Sequence, residues 1–377
     1  MNMKKLKVMT VIGTRPEIIR LSATIKLLDK HELIDHVLVH TGQNYDYELN
    51  QIFFDDLELR TPDYYLESAK ETPIQTISHA MVNIEKVIIK EEPEAFLVLG
   101  DTNSALTAIV AKRYKIPIFH MEAGNRSFDQ RVPEEINRKL VDHIADVNLP
   151  YSSIARDYLL SEGIQPDYII KTGSPMFEVI NSYKHKIQTS KILDELQLEK
   201  NEYILVSTHR EENVDNDENL KEFYVTLQML SNKFSMPVLL STHPRTLKKT
   251  KELNVVLKQS VMLHKPFSFT DYCNLQKNAR FVLSDSGTIS EETAILGLKS
   301  LNIRESQERP ESFEVGTIPL VGYDSNRILQ GIDFIDSRES VQTVFDYSYS
   351  RVSETVLNTI ISYVNYVKSR SYRLTKK

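Results

Sequence analysis

Short runs of Val, Ile and Leu, separated by longer stretches with helical periodicity, recur along this 377-residue chain. A strand buried on both faces reads as a continuous apolar run, so the repetition selects parallel sheets whose strands are joined by helices. The first series is Leu6 to Ile12, His36 to His40, Ala95 to Leu99, Ile116 to His120 and Asp146 to Leu149. A second is Tyr203 to Ser207, Pro237 to Ser241, Val261 to Leu263, Phe281 to Ser284 and Ser300 to Ile303. Two such series predict an α/β fold of two Rossmann-like, doubly wound parallel-sheet domains, each long enough to bury its own core.

Between the series, Lys184 to Lys200 is polar and heavily charged, which places the hinge within 175–200 and predicts domains at 1–175 and 176–352. Ser353 to Lys368 has helical spacing and no strand after it. It predicts a terminal helix, within 353–377, that crosses back to the first domain.

The net charge of -6 supplies no global basic field, so neither nucleic acid nor an anionic membrane is an expected partner. No apolar stretch reaches the roughly 20 residues needed to cross a bilayer, and the basic start leads straight into a strand rather than a cleavage site. With a single cysteine, Cys273, a disulfide framework and a Cys-based zinc cluster are both excluded, and a cytoplasmic location is expected.

In open α/β sheets ligands bind beyond the carboxyl ends of the strands, and those positions are polar here. Gly13-Thr14-Arg15-Pro16-Glu17 combines a tight turn, a capping box and Pro in the first helical turn. This outlines a phosphate site beside Arg15, although a capped helix with a solvated arginine has the same pattern. Asp101 follows one strand, Glu122 another, and Glu134 the loop after it. Singly each reads as a helix cap or an ion-pair partner. Together they form a candidate acid–base cluster, because carboxylates that repel one another have displaced pKa values.

In the second half, His209 and Arg210 follow a strand and suit a diphosphate and proton transfer. Thr242-His243-Pro244-Arg245 is a weaker stop of the same kind. Ser286 and Gly287 precede a helix whose N–H groups face phosphate oxygens, with Glu291 and Glu292 one turn along for ribose hydroxyls. Arg309 adds a charged corner, and Phe267, Phe269 and Tyr272 offer aromatic surface. No Gly-x-Gly-x-x-Gly follows a strand, no Walker motif is present, and no metal-ligand spacing occurs, so no cofactor and no metal are expected.

These segments resemble the non-hydrolysing UDP-N-acetylglucosamine 2-epimerases of bacteria. The landmarks are Gly13 to Glu17, Gly100-Asp101-Thr102, Met121 to Gly124, Pro133-Glu134-Glu135 with Asn137-Arg138, His209-Arg210-Glu211, Ser284 to Gly287 with Glu291-Glu292, and Glu308 to Glu311. They run in order along nearly the whole chain. The resemblance implies GT-B architecture around an inter-domain cleft, a UDP-sugar partner and a homodimer. It implies Asp101, Glu122, Glu134 and His209 as catalytic without naming the base. The expected UDP- and substrate-binding set is Arg15, Arg20, Gln43, Asn125, Arg210, Tyr272, Ser286, Gly287, Glu291, Glu292 and Arg309.

Three further segments, Gly42 to Tyr47, Asn125 to Arg131 and Thr172 to Phe177, resemble one subgroup. Its members make UDP-N-acetyl-L-fucosamine from UDP-2-acetamido-2,6-dideoxy-L-talose for capsule or O-antigen assembly. Arg20 stands where the commoner N-acetylglucosamine enzymes have lysine, and Asn125 where they have leucine. The implied chemistry is elimination of UDP to a glycal and its re-addition with inversion. UDP-N-acetylglucosamine is the alternative substrate, and a GT-B glycosyltransferase or a non-catalytic UDP-sugar sensor are the readings from other classes.

Overall fold

The computed structural model describes residues 4–43, 47–208, 217–242, 249, 250, 252 and 258–374. They divide into two compact units, Met1–Ser182 with Phe345–Lys377, and Tyr183–Val344.

The first unit is built on six parallel strands: β1 (Leu6–Ile12), β2 (Ile34–His40), β3 (Tyr64–Tyr65), β4 (Ala95–Leu99), β5 (Ile118–Met121) and β6 (Val147–Leu149). Their order is β3-β2-β1-β4-β5-β6, so the chain reverses direction across the sheet between β1 and β4. The register sets Val8 opposite Ala95 and Leu97 opposite Phe119. Every residue of β4 is buried, as the continuous apolar run requires. The two-residue β3 has no apolar run to announce it. It exists because Val39 and His40 leave an edge open to Tyr64 and Tyr65.

Met9, Val11, Phe96 and Val98 pack with Ile84, Val87 and Ile88 of the Pro73–Glu91 helix. That helix opens on a Thr72–Gln75 capping box followed by Pro73, and ends at Glu92 in a left-handed conformation. The Val352–Arg370 helix packs on the Arg15–Lys30 helix of the same unit and buries Val356, Ile360, Val364 and Val367. Each such side chain contributes about 1.5–3 kcal/mol. Just upstream, the Asp346 carboxylate accepts from Ser153 N–H at 3.0 Å and Lys171 Nζ at 2.6 Å.

The second unit has five parallel strands, β7 (Ile204–Thr208), β8 (Val238–Thr242), β9 (Val261–His264), β10 (Phe281–Ser284) and β11 (Ser300–Asn302). The order is β11-β10-β7-β8-β9, with its reversal between β7 and β10. One face packs Val206, Leu240 and Leu283 with Leu227 and Ile332. The other packs Leu205, Leu239 and Val282 with Leu275 and Ile289. Cys273 is a buried packing residue. Both units are thus parallel-sheet α/β folds, and each places a topological switch where ligands bind in such sheets.

Candidate active site

In the first unit the switch between β1 and β4 is organised by Glu17. Its Oε2 accepts from the N–H groups of Gly13 (2.8 Å) and Thr14 (2.7 Å), and its Oε1 from Thr102 Oγ1 (2.8 Å) and Ser104 Oγ. One buried carboxylate therefore sews the turn after β1 to the turn after β4. Burial pushes the Glu17 carboxyl above its ordinary range, against the hydrogen bonds from Ser104, Thr102, Gly13 and Thr14. Gly13 is required for contact reasons: a Cβ there would lie 2.1 Å from Thr41 Oγ1.

Arg138, on the Pro133–Ile144 helix, gathers the acidic residues. It is 2% exposed. Its Nη2 donates to Asp101 Oδ2, while its Nη1 donates to the Glu122 carbonyl at 2.9 Å and lies 3.5 Å from Glu122 Oε1. Glu122 Oε2 lies 3.4 Å from Arg20 Nη1, and the Arg20 guanidinium stands over the Tyr151 ring, 5.6 Å from its centroid. Two carboxylates thus face two guanidiniums. Sequence reasoning expects mutual repulsion among the acids; the structure instead neutralises Asp101 and Glu122 with arginine. Contacts of 3.4–3.5 Å are ion-pair distances rather than full hydrogen bonds.

Glu122 is also conformationally unusual, with φ at +61°. A non-glycine residue there costs on the order of 1–3 kcal/mol and persists only where its surroundings hold it. Arg138 on its carbonyl and Arg20 on its side chain do so. Gly124 follows at φ +80°, and a Cβ there would lie 2.3 Å from the Ala155 carbonyl oxygen, so only glycine closes this turn.

Behind both turns lies a buried polar network. His120 Nε2 donates to the Gly100 carbonyl at 2.7 Å, and its Nδ1 lies 2.9 Å from Asp142 Oδ1. Asp142 also accepts from Gly124 N–H at 3.2 Å and pairs with Arg126 Nη1 at 2.7 Å. Arg126 in turn makes a two-pronged pair with Glu162, at 2.8 and 2.6 Å. Burial would raise the Asp142 carboxyl, but His120 and Arg126 outweigh it and hold the group below the usual carboxylate value.

The remaining expected residues of this unit make the following contacts. Glu134 is exposed in the first turn of its helix and has no hydrogen bond or ion pair among the described residues. Its neighbour Glu135 is the buried one, accepting from Ser127 N–H at 2.8 Å. Arg15 lies over the Phe53 ring, 5.8 Å from its centroid. Asn125 is 2% exposed, and its Nδ2 has no hydrogen-bond partner among the described residues. The buried Gln43 Oε1 likewise has none.

In the second unit, the switch between β7 and β10 is lined by hydroxyls. Thr208 Oγ1 donates to Asp285 Oδ2 at 2.8 Å, Tyr323 OH reaches the same oxygen at 3.2 Å, and Tyr272 OH donates to Ser207 Oγ at 2.9 Å. Ser286 and Thr288 share a 2.9 Å hydroxyl contact just before the Ile289–Leu296 helix. The Ser286 and Thr288 N–H groups are engaged locally, by Ser284 Oγ at 3.1 Å and Ser286 Oγ at 3.3 Å. The Gly287 N–H has no partner among the described residues. Glu291 is buried 3.5 Å from Arg309 Nη2, and Glu292 accepts from Gln276 Nε2 at 2.5 Å. His209, Arg210 and the His243-Pro244-Arg245 stop lie outside the described residues.

His120 and Asp142 are functional candidates that strand-end reasoning passes over, while Glu17 enters it only as a capping-box residue and Arg138 only within the Asn137-Arg138 landmark. The signal for two of them is helical phase: Glu135, Arg138 and Asp142 share one buried stripe with Val141.

The sequence profile of the UDP-N-acetylglucosamine 2-epimerase family matches residues 26–361. A solved UDP-N-acetylglucosamine 2-epimerase from Rickettsia bellii is 47% identical, with a TM-score of 0.89 over 98% of this chain and 99% of its own. The structure of the UDP-GlcNAc 2-epimerase of Methanocaldococcus jannaschii, in complex with UDP-GlcNAc and UDP, is 32% identical, with a TM-score of 0.88 over 95% of this chain and 100% of its own. A relative from Pseudomonas aeruginosa, named UDP-2,3-diacetamido-2,3-dideoxy-D-glucuronate 2-epimerase, is 34% identical over 86% of this chain and 91% of its own.

Proposed function

The chain belongs to the UDP-N-acetylglucosamine 2-epimerase family, and we propose that it inverts the acetamido-bearing carbon of UDP-2-acetamido-2,6-dideoxy-L-talose to give UDP-N-acetyl-L-fucosamine. It is an isomerase by family, which sets aside the glycosyltransferase and sensor readings. Support for this sugar comes from the Asn125 to Arg131 and Gly42 to Tyr47 segments and from Arg20 and Asn125. Relatives of similar identity carry names for different UDP-sugars, so the sugar is a property of such local residues rather than of the fold.

The observation that carries the mechanism is Arg138 holding Asp101 and Glu122 together. The hydrogen on the acetamido carbon is not acidic enough to leave alone, because no carbonyl adjoins it. In the proposed reaction a carboxylate of this pair takes that proton while the bond from the anomeric carbon to the UDP oxygen breaks. The electron pair of the C–H bond becomes the ring double bond of a glycal, and UDP carries away the anomeric bonding pair. Return of UDP to the anomeric carbon, with a proton delivered to the opposite face of the neighbouring carbon, gives the inverted sugar. Asp101, Glu122, Glu134 and His209 are the acid–base set. Arg15, Arg210 and Arg309 neutralise the departing diphosphate, where charge accumulates, and Ser286 and Gly287 donate hydrogen bonds to it; Glu291 and Glu292 take ribose hydroxyls and Tyr272 the base. Arg20, Gln43 and Asn125 contact the sugar. The enzyme works without a cofactor, as a homodimer in the cytoplasm, upstream of surface polysaccharide assembly.

UDP-N-acetylglucosamine, with UDP-N-acetylmannosamine as product, is the second reading, favoured by the names of relatives. Proton NMR of the protein incubated with each UDP-sugar separates the two. Faster interconversion of the 6-deoxy-L-talose compound supports the first reading; faster interconversion of UDP-N-acetylglucosamine replaces it with the second; no interconversion of either overturns both.

A further inference from the structure

The proposed acid–base pair sits on two turns that leave different strands, Asp101 after β4 and Glu122 after β5. Arg138 ties the side chains, but something must also fix the backbone of each turn. Two hydrogen bonds do this from below, and they end on two side chains that lie against each other. His120 Nε2 holds the carbonyl of Gly100, the residue before Asp101, at 2.7 Å, and His120 Nδ1 lies 2.9 Å from Asp142. The N–H of Gly124, two residues after Glu122, donates to the same carboxylate at 3.2 Å. The side chains of His120 and Asp142 are fully buried, so neither touches a substrate. Asp142 itself is anchored on its other side by Arg126, which Glu162 grips at 2.8 and 2.6 Å.

We infer that His120, holding the Gly100 carbonyl, and Asp142, holding the Gly124 N–H, are the positioning pair that sets the distance between the Asp101 and Glu122 turns. The inference rests on the reading of Asp101 and Glu122 as the acid–base pair. A carbonyl oxygen only accepts, so Nε2 of His120 carries the proton in this contact. Both turns contain residues at positive φ, Gly100 at +73°, Glu122 at +61° and Gly124 at +80°. Backbone of this kind relaxes when its partners are removed. Relaxation by about 1 Å costs on the order of 10²-fold in rate without loss of binding.

The contact geometry supplies a test that general destabilisation cannot imitate. In His120→Gln the amide nitrogen falls near the place of Nε2 and still donates to Gly100. In His120→Asn the amide falls near Nδ1, and the Gly100 bond is lost. Turnover of UDP-N-acetylglucosamine and of UDP-2-acetamido-2,6-dideoxy-L-talose is measured for both variants, with KM, UDP affinity and thermal midpoint. For whichever sugar the parent enzyme turns over, kcat is expected to fall about 10²-fold in His120→Asn, to recover most of that loss in His120→Gln, and to leave KM and UDP affinity within about two-fold. Equal losses in both variants, following the thermal midpoint, would overturn the inference, as would full turnover in His120→Asn. Should His120→Asn not fold, Asp142→Asn, which preserves shape, is read in the same way: a kcat loss at constant KM supports the inference and unchanged kcat overturns it. Asp101→Asn, run alongside, separates the two readings. If it too turns over at the parent rate, the acid–base assignment has failed; if it is slowed while the His120 and Asp142 variants are not, only the positioning role has failed.

Discussion

Arg20 of the Arg15–Lys30 helix holds Oε2 of Glu122, at the end of β5, at 3.4 Å, with its guanidinium over the Tyr151 ring. A residue from the first turns of one helix thus reaches across the carboxyl edge of the sheet to an acid two strands away. Guanidinium suits the task because its planar group can pair with a carboxylate and lie on an aromatic face at once, which an ammonium group does less well. Arg20→Lys is therefore expected to lower kcat about ten-fold on the 6-deoxy-L-talose compound, and less on UDP-N-acetylglucosamine. Steady-state kinetics with both sugars check this; an equal effect on the two would detach Arg20 from sugar choice.

Arg138 carries more of the site. Removing one partner of a buried pair leaves the others uncompensated, at about 3–5 kcal/mol. Arg138→Met is expected to lose at least about 10²-fold in kcat and to lower the thermal midpoint. UDP affinity, measured by calorimetry, is expected to stay within about two-fold, since no proposed diphosphate ligand depends on Arg138.

The two carboxylates themselves give a sharper contrast. Asp101→Asn and Glu122→Gln keep shape and remove the ability to take a proton. Each is expected to slow turnover by about 10²- to 10⁴-fold while UDP binding persists. Whichever amide turns over at the parent rate is removed from the acid–base set.

Apolar runs mark strands buried on both faces, so β1, β4 and β10 lie where the runs do. β5 begins at Ile118 rather than Ile116, because Ile116 and Pro117 still belong to the loop leading in. β3 has only Tyr64 and Tyr65, too short for any periodicity. Strand ends point to Asp101 and Glu122, which are indeed brought together. They say nothing of Arg138, which arrives from the middle of a helix, stands in the sequence as part of the Asn137-Arg138 landmark, and is marked as buried by the phase of its stripe. The same phase distinguishes exposed Glu134 from buried Glu135, two residues that a motif reads as equivalent.

Stability should depend on pH through His40. Burial pushes its pKa down from 6.5 to about 4, so the folded state resists the proton that the unfolded chain accepts. The stability this represents is fully present above pH ~6.5 and is lost as pH falls through ~4, about 3 kcal/mol in all. Asn at position 40 leaves an acceptor near His40 Nδ1, which now takes the Gly42 N–H at 3.0 Å. Urea unfolding of the parent chain and His40→Asn between pH 7 and 4 is expected to show a shallower loss in the variant.

Gly13→Ala tests the close approach of the β1 turn. Its Cβ would meet Thr41 Oγ1 at 2.1 Å, and overpacking of this kind costs about 1–3 kcal/mol. Thr41→Ala in the same chain removes that atom and is expected to restore part of the loss. Denaturant unfolding of the two single variants and the double variant closes the cycle; strict additivity would place the strain elsewhere.

The hydrogen of the inverted carbon tests the proposed chemistry most directly. The enzyme is incubated in deuterated water with UDP-2-acetamido-2,6-dideoxy-L-talose, and the product is read by proton NMR and mass spectrometry. One deuterium at the acetamido-bearing carbon of UDP-N-acetyl-L-fucosamine, lost together with turnover in Asp101→Asn or Glu122→Gln, is the predicted result. Inverted product that carries no solvent deuterium there would contradict it.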